Sequence, residues 1–73
     1  MTYTGTVPVI GRTVAVDPDV IPLGSTVMID GHEYIAEDTG VIGNVIDLYV
    51  GTEAEAEVFG VREVEVYILE ENR

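Results

Sequence analysis

Short runs rich in β-branched residues, separated by segments that contain glycine or proline, recur along the whole chain and limit what it can fold into. Their alternation and the turn residues between them predict six strands. The predicted strands cover residues 4–7, 13–16, 26–29, 33–36, 46–50 and 63–69. In the last of these, Val64, Val66 and Ile68 should face the core. A chain of 73 residues without cysteine has no disulfides, and one histidine excludes a structural zinc site, so apolar burial and backbone pairing must hold the fold.

The connections between these strands have distinct turn chemistry. Residues 17–24 contain Pro18 and Pro22, which forbid a central strand and predict a rigid connection. Asp30-Gly31 between two apolar runs predicts a tight hairpin, with His32 exposed at its tip. One short helix is predicted within residues 52–60, where Thr52 and Glu55 form a capping-box pattern and Gly60 ends the helix.

A weak internal repeat relates the two halves of the chain. Val9-Ile10-Gly11 recurs as Val41-Ile42-Gly43, and the β runs Val14-Ala15-Val16 and Ile46-Asp47-Leu48 follow. Two similar βψβ-like halves predict a closed all-β barrel of six strands with a pseudo-two-fold axis. The whole chain, residues 1–73, should form this single domain, with residues 70–73 frayed.

The charge and hydropathy of the chain exclude several classes of partner. The net charge of −11 repels phosphate backbones and anionic lipid, so we expect no nucleic-acid partner. No apolar run approaches the ~20 residues needed to cross a bilayer, so we expect no membrane insertion. The first residues lack the basic start and apolar segment of a secretion signal, and export would therefore need a leader from elsewhere.

Four segments resemble, in the same order, the signature stretches of the 3D (three-aspartate) domain. The family includes the catalytic domain of membrane-bound lytic transglycosylase A and the stationary-phase muralytic enzymes of spore-forming bacteria. The resemblance implies a double-psi β-barrel and a location outside the cell or at the cell wall. The loop at residues 39–46 is shorter than the family's and lacks its basic residues. The four segments are residues 15–25, 36–40, 43–50, and 59–61 with 64–69.

The same resemblance implies a chemistry and a set of site residues. Lytic transglycosylases cleave the MurNAc-GlcNAc β-1,4 bond of peptidoglycan glycan strands without water, because the sugar's C6 hydroxyl attacks to give a 1,6-anhydro end. Carried over by motif, Asp47 is the single acid and base, and Asp38 and Asp17 are its supporting aspartates. No cofactor or metal is implied. Residues expected to bind substrate are Thr39, Gly40, Asn44 and Tyr49.

Strand parity adds an expectation for the catalytic aspartate. Asp47 lies between Ile46 and Leu48, and if those two side chains face the core, Asp47 points into a groove on the other face. There it should be sheltered enough to hold a proton near neutral pH. Asp38 is expected to raise the pKa of Asp47 by repulsion or to orient it by a hydrogen bond.

Other interpretations of the same residues stay open. Asp17 before proline, and Asp38 before Thr39-Gly40, are typical of aspartates that accept backbone N–H groups in turns. Asp38-Thr39-Gly40 is also the tripeptide of aspartic proteases, although Glu37 precedes it where those enzymes have an aliphatic residue. The main rival to an enzyme is a non-catalytic murein-binding module or a minimised, engineered double-psi barrel scaffold, which the shortened loop favours.

Overall fold

The computed structural model describes residues 1–49 and 64–70, in which five strands form one mixed sheet. In these residues the architecture is all-β, and no helix of a length and hydropathy able to span a membrane occurs there. The sheet order is β4-β1-β3-β2-β5. The strands are β1 (Thr13–Ala15), β2 (Thr26–Ile29), β3 (His32–Asp38), β4 (Asp47–Leu48) and β5 (Val66–Glu70).

Strand β3 lies between β1 and β2, although β1 and β2 follow each other in the chain. It runs parallel to β1 and antiparallel to β2. Residues 16–25 therefore cross from one side of β3 to the other. The crossing begins with a turn in which the Asp17 carbonyl accepts the N–H groups of Val20 and Ile21, each at 2.9 Å. The two prolines of this segment suit such a rigid connection, as the sequence predicted.

The predicted hairpin joins β2 to β3. Asp30 and Gly31 both have positive φ, 52° and 77°, which is the backbone conformation that a two-residue hairpin of this hand requires. His32 is exposed, as expected, and its Nε2–H donates to the Gly11 carbonyl at 2.6 Å. The hairpin tip is thus tied to the turn that precedes β1.

The core lies against one face of the sheet. Val14, Val27 and Ala36 come from three neighbouring strands and are fully buried. Val16 and Ile21 join them from the crossing segment. Removing a valine or isoleucine side chain from water stabilises the fold by about 1.5–3 kcal/mol, so the three valines and Ile21 each make a substantial contribution to folding.

The prediction of a strand at residues 4–7 is wrong. The Thr2 N–H donates to the Thr6 carbonyl at 2.9 Å, and Gly5 between them has a φ of 86°. The Thr2 hydroxyl also accepts the Thr6 N–H at 3.1 Å. Threonine hydroxyls that bond nearby backbone groups favour turns over strands, and they do so here.

The sheet of the described residues has five strands and is open, so the predicted closed barrel of six strands is not found in them. One predicted strand is the turn just described, and β4 and β5 are the two edges. Because β5 has a neighbour on one side only within this sheet, Ile68 is 40% exposed, whereas Val64 and Val66 are half-buried as expected. The predicted helix at residues 52–60, the end of the strand predicted at 46–50, and residues 71–73 lie outside the described residues.

The internal repeat has a counterpart in the pairing of β1 with β4. These strands are antiparallel, with Val14 opposite Leu48 and Ala15 opposite Asp47. Ala15 and Asp47 are also the middle residues of the two repeated β runs. The repeated runs are thus related by a local two-fold axis at this pair.

Candidate functional site

Strand β1 separates the two aspartates that were expected to act together. Ala15 is paired with Asp38 on one side and with Asp47 on the other. Neighbouring strands lie about 4.8 Å apart, so the Cα atoms of the two aspartates are separated by about 10 Å. No hydrogen bond joins their carboxylates in the described structure, and the expected orienting bond from Asp38 to Asp47 is not found.

A β-bulge shapes the end of β3. Val14 pairs with Ala36 and Ala15 pairs with Asp38, so Glu37 is the extra residue on β3. The Glu37 side chain is buried, with only 8% of it exposed. It accepts a hydrogen bond from the Thr13 hydroxyl and forms an ion pair with Arg12 at 3.1 Å. A buried carboxylate needs such partners, and here both come from the start of β1.

The role of Glu37 was not predicted from the sequence patterns. The available signal was a glutamate directly after the apolar pair Ile35-Ala36, with Arg12 as the one arginine or lysine of the first 49 residues. That pattern suggests an internal ion pair, but it does not show which strand the glutamate faces.

The carboxylate of Asp38 holds the N-terminal turn. Its Oδ1 atom accepts the backbone N–H of Tyr3 at 2.9 Å, and the neighbouring Glu37 carbonyl accepts the N–H of Thr4 at 3.1 Å. The Asp38 carbonyl accepts the Val16 N–H at 2.9 Å. The structure thus gives Asp38 a backbone-binding role, with a donor far away in the chain instead of the local turn donor that was expected.

Both carboxylate oxygens of Asp17 accept hydrogen bonds from backbone N–H groups. Oδ2 accepts the Gly43 N–H at 2.7 Å and Oδ1 accepts the Asp19 N–H at 3.0 Å. The Gly43 bond first, and the Asp19 bond second, lower the pKa of Asp17 below its usual value because both stabilise the charged form. Asp17 is therefore a hydrogen-bond acceptor at neutral pH.

Asp47 differs from both. Its side chain is exposed, and in the described residues no hydrogen bond reaches its carboxylate. The expected sheltered position is thus not found, because β4 is an edge strand of the sheet. Asp47 lines an open cavity together with Asp17, Asn44 and Tyr49.

Some of the sequence-predicted site residues line the cavity and others do not. Asp17, Asn44, Asp47 and Tyr49 line it, beside apolar side chains that include Val20 and Val45. Asp38, Thr39 and Gly40 are not among the residues that line it. Across residues 1–49 and 64–70, no group of three or more histidine and acidic side chains is placed to hold a metal ion.

Comparison with known proteins places the chain in a family. The sequence profile of the 3D domain matches residues 12–70, which is most of the chain and includes all three aspartates. The chain belongs to the 3D domain family. Because the matched residues include Asp38-Thr39-Gly40, this tripeptide is explained by the 3D domain and does not require an aspartic protease.

Two curated relatives of this 3D domain come from Bacillus subtilis (strain 168). The chain is 46% identical over 61 residues to "Cell wall-binding protein YocH", covering 80% of this chain and 21% of that protein. It is 44% identical over 61 residues to "Putative cell wall shaping protein YabE", covering 80% of this chain and 15% of that protein. The chain therefore spans about a fifth or less of each relative. No solved structure matches it significantly.

Proposed function

We propose that this 3D domain cleaves peptidoglycan glycan strands as a lytic transglycosylase, with Asp47 as its acid and base. One observation carries the proposal. Of the three aspartates, Asp17 and Asp38 have carboxylates bound to backbone N–H groups, whereas the carboxylate of Asp47 has no hydrogen bond within the described residues and lies at the cavity. A group that transfers a proton to substrate needs this freedom.

The proposed reaction needs a single carboxyl group. Protonated Asp47 gives its proton to the glycosidic oxygen as the bond from that oxygen to the anomeric carbon breaks. The resulting carboxylate then takes the proton of the sugar's C6 hydroxyl, whose oxygen bonds to the anomeric carbon and closes the 1,6-anhydro ring. The proton returns to Asp47, so no water is consumed. A glycan strand lying over Asp47 would exclude water from the reacting groups.

Polar and aromatic groups beside Asp47 suit a sugar ligand. Tyr49 lies two residues after Asp47, on the same side of the extended chain, and its exposed ring offers a stacking surface. The Asn44 amide can both donate and accept hydrogen bonds to sugar hydroxyls. Asn44 and Tyr49 also line the cavity with Asp47. The strong negative charge of the chain fits a ligand without phosphate groups.

A double-psi β-barrel fold and a location at the cell wall are part of the same proposal. A double-psi β-barrel is supported by the position of β3 between β1 and β2 and by the local two-fold relation of β1 and β4. A place at the cell wall is supported by the names of the two relatives, one described as cell wall-binding and the other as cell wall-shaping. In this proposal Thr39 and Gly40 contact the glycan strand outside the cavity, which they do not line, and Asp38 supports the site from the far side of β1.

A second candidate function is binding to peptidoglycan without cleavage. The exposure of Asp47 on an edge strand favours it, because an exposed carboxyl group is free to accept hydrogen bonds from the hydroxyls of a bound sugar. The printed description of one relative as cell wall-binding also favours it.

Purified sacculi provide the test of both candidates. The protein is incubated with sacculi, the soluble products are examined by mass spectrometry for 1,6-anhydro muropeptides, and bound protein is measured by co-sedimentation. We expect anhydro products, with a loss of at least about 100-fold in Asp47→Asn and little change in the exposed control Asp19→Asn. Products that persist in Asp47→Asn would reject Asp47 as the acid. Binding without products would identify a binding module, and the absence of both would reject a peptidoglycan role.

A further inference from the structure

Residues 43–47 are held at both ends by residues 15–17, which comprise the last residue of β1 and the start of the crossing segment. At one end the Gly43 N–H donates to Asp17 Oδ2 at 2.7 Å. At the other end Asp47 is paired with Ala15. Ala15 and Asp17 are two residues apart, about 7 Å in an extended chain. The segment from Gly43 to Asp47, named here the arch, therefore starts and finishes against one short stretch of backbone.

Asp17 is itself tightly fixed, so it can serve as an anchor. Its Oδ1 atom is held by the Asp19 N–H at 3.0 Å, and its carbonyl accepts the N–H groups of Val20 and Ile21. Pro18 restricts the backbone directly after it. The position of Oδ2 is thus determined by the turn, and the Gly43 bond transmits that position to the arch.

All five residues of the arch line the cavity, and two of them carry polar side chains. Asn44 follows Gly43 directly, and Asp47 is at the other end. Ile46 between them is half-buried and packs against the core. Gly43 has a φ of 75°, a conformation that favours glycine, so the N–H presented to Asp17 depends on this backbone geometry.

We propose that Asp17 is a positioning residue: its carboxylate fixes the Gly43 end of the arch and thereby sets where Asn44 and Asp47 stand in the groove. Asp17 exchanges no proton with substrate. The ligand in this inference rests on the proposed function, but the clamp between Asp17 and Gly43 does not.

The test combines a measurement on the clamp with one on the ligand. In ¹H–¹⁵N spectra of Asp17→Asn, whose amide oxygen can replace only one of the two carboxylate acceptors, we expect the Gly43 amide resonance to move upfield. Its hydrogen exchange should become about tenfold faster. Binding to sacculi should weaken about tenfold, and any cleavage should show a lower kcat and a higher KM, because both Asn44 and Asp47 move. Asp19→Asn, an equal loss of charge two residues away, should change none of these.

The outcomes separate the clamp from the proposed function. An unchanged Gly43 amide in a folded Asp17→Asn protein overturns the clamp. A displaced Gly43 amide with wild-type binding and cleavage overturns the positioning role. A displaced amide together with a wild-type protein that neither binds nor cleaves sacculi leaves the clamp in place and rejects the proposed function.

A measurement on the wild-type protein covers the case in which Asp17→Asn does not fold. In an acid titration the chemical shift of the Gly43 amide should change with the same midpoint as the ¹³C shift of the Asp17 carboxyl carbon, which reports protonation of the carboxylate. A Gly43 amide that does not respond while Asp17 titrates overturns the clamp.

Discussion

The carboxylate of Asp38 accepts a hydrogen bond from the backbone N–H of Tyr3, at 2.9 Å and across 35 residues of chain. Beside it the Thr4 N–H donates to the Glu37 carbonyl at 3.1 Å. The N-terminal turn, which lies outside the residues matched by the 3D domain profile, is thus attached to the end of β3 within that match. One of the three aspartates of this domain therefore connects a segment outside the matched residues to the matched part of the fold.

Replacing Asp38 should release this turn. In Asp38→Ala the Tyr3 N–H loses its acceptor, and we expect its hydrogen exchange to accelerate about tenfold and the free energy of unfolding to fall by about 1 kcal/mol. Asp38→Asn is the matched control, because its amide oxygen can still accept the bond. Exchange by NMR and chemical denaturation measure both effects. Equal Tyr3 exchange in Asp38→Ala and the wild type would contradict the role.

The ion pair between Glu37 and Arg12 should contribute more to stability than the hydrogen bond of Asp38. Glu37→Ala leaves the Arg12 guanidinium and the buried Thr13 hydroxyl without their carboxylate acceptor, and we expect a loss of about 2–3 kcal/mol in chemical denaturation. Arg12 is 39% exposed, so water compensates part of its loss. Glu33→Ala, an exposed change on the same strand, should stay within about 0.5 kcal/mol of the wild type. Similar denaturation midpoints for the two variants would show that the pair is dispensable.

The lowered pKa of Asp17 predicts an acid-dependent loss of stability. The N–H groups of Gly43 and Asp19 lower this pKa in the folded protein below 3.8, so the folded state favours the ionised form. The resulting stabilisation is complete above the unfolded-state pKa and is lost as pH falls through the lower folded-state pKa. Denaturation midpoints measured from about pH 5 down to about pH 2 should fall less steeply in Asp17→Asn than in the wild type. Identical slopes would mean that the Gly43 and Asp19 bonds do not favour the charged form.

The hairpin turn provides a test of local backbone conformation. Gly31 has a φ of 77°, and a Cβ built there meets nothing within 4 Å, so a side chain costs only backbone strain. We expect Gly31→Ala to destabilise the fold by about 1 kcal/mol, a fall of about 4–8 °C in Tm. Gly31→Asn should lose less, since asparagine tolerates this conformation. Equal melting temperatures for the wild type and the alanine variant would contradict the left-handed turn.

Local patterns predicted the elements that depend on neighbouring residues. The alternation of residues 26–29 gave the bounds of β2, and Asp30-Gly31 gave the hairpin, because side-chain parity and positive φ act over a few residues. The strand predicted at residues 4–7 failed because alternation does not reveal the Thr2 hydroxyl, which lies before that range and closes the turn.

For the site, too, the sequence showed which residues are candidates but not their long-range contacts. The motifs identified Asp17, Asp38 and Asp47 as candidates, but the partners of the first two lie 26 and 35 residues away. No local pattern shows such contacts. The burial of Glu37 also depends on Arg12 and Thr13 from another strand.

The sequence by itself determined an all-β domain, its hairpin, its family and the three aspartates, because β-branched alternation and turn residues express short-range sterics. Only the tertiary structure decided which of those carboxylates are occupied by backbone N–H groups and which one lies free of hydrogen bonds among the described residues. That choice depends on β1 passing between Asp38 and Asp47, a long-range arrangement that apolar burial imposes on the whole sheet at once.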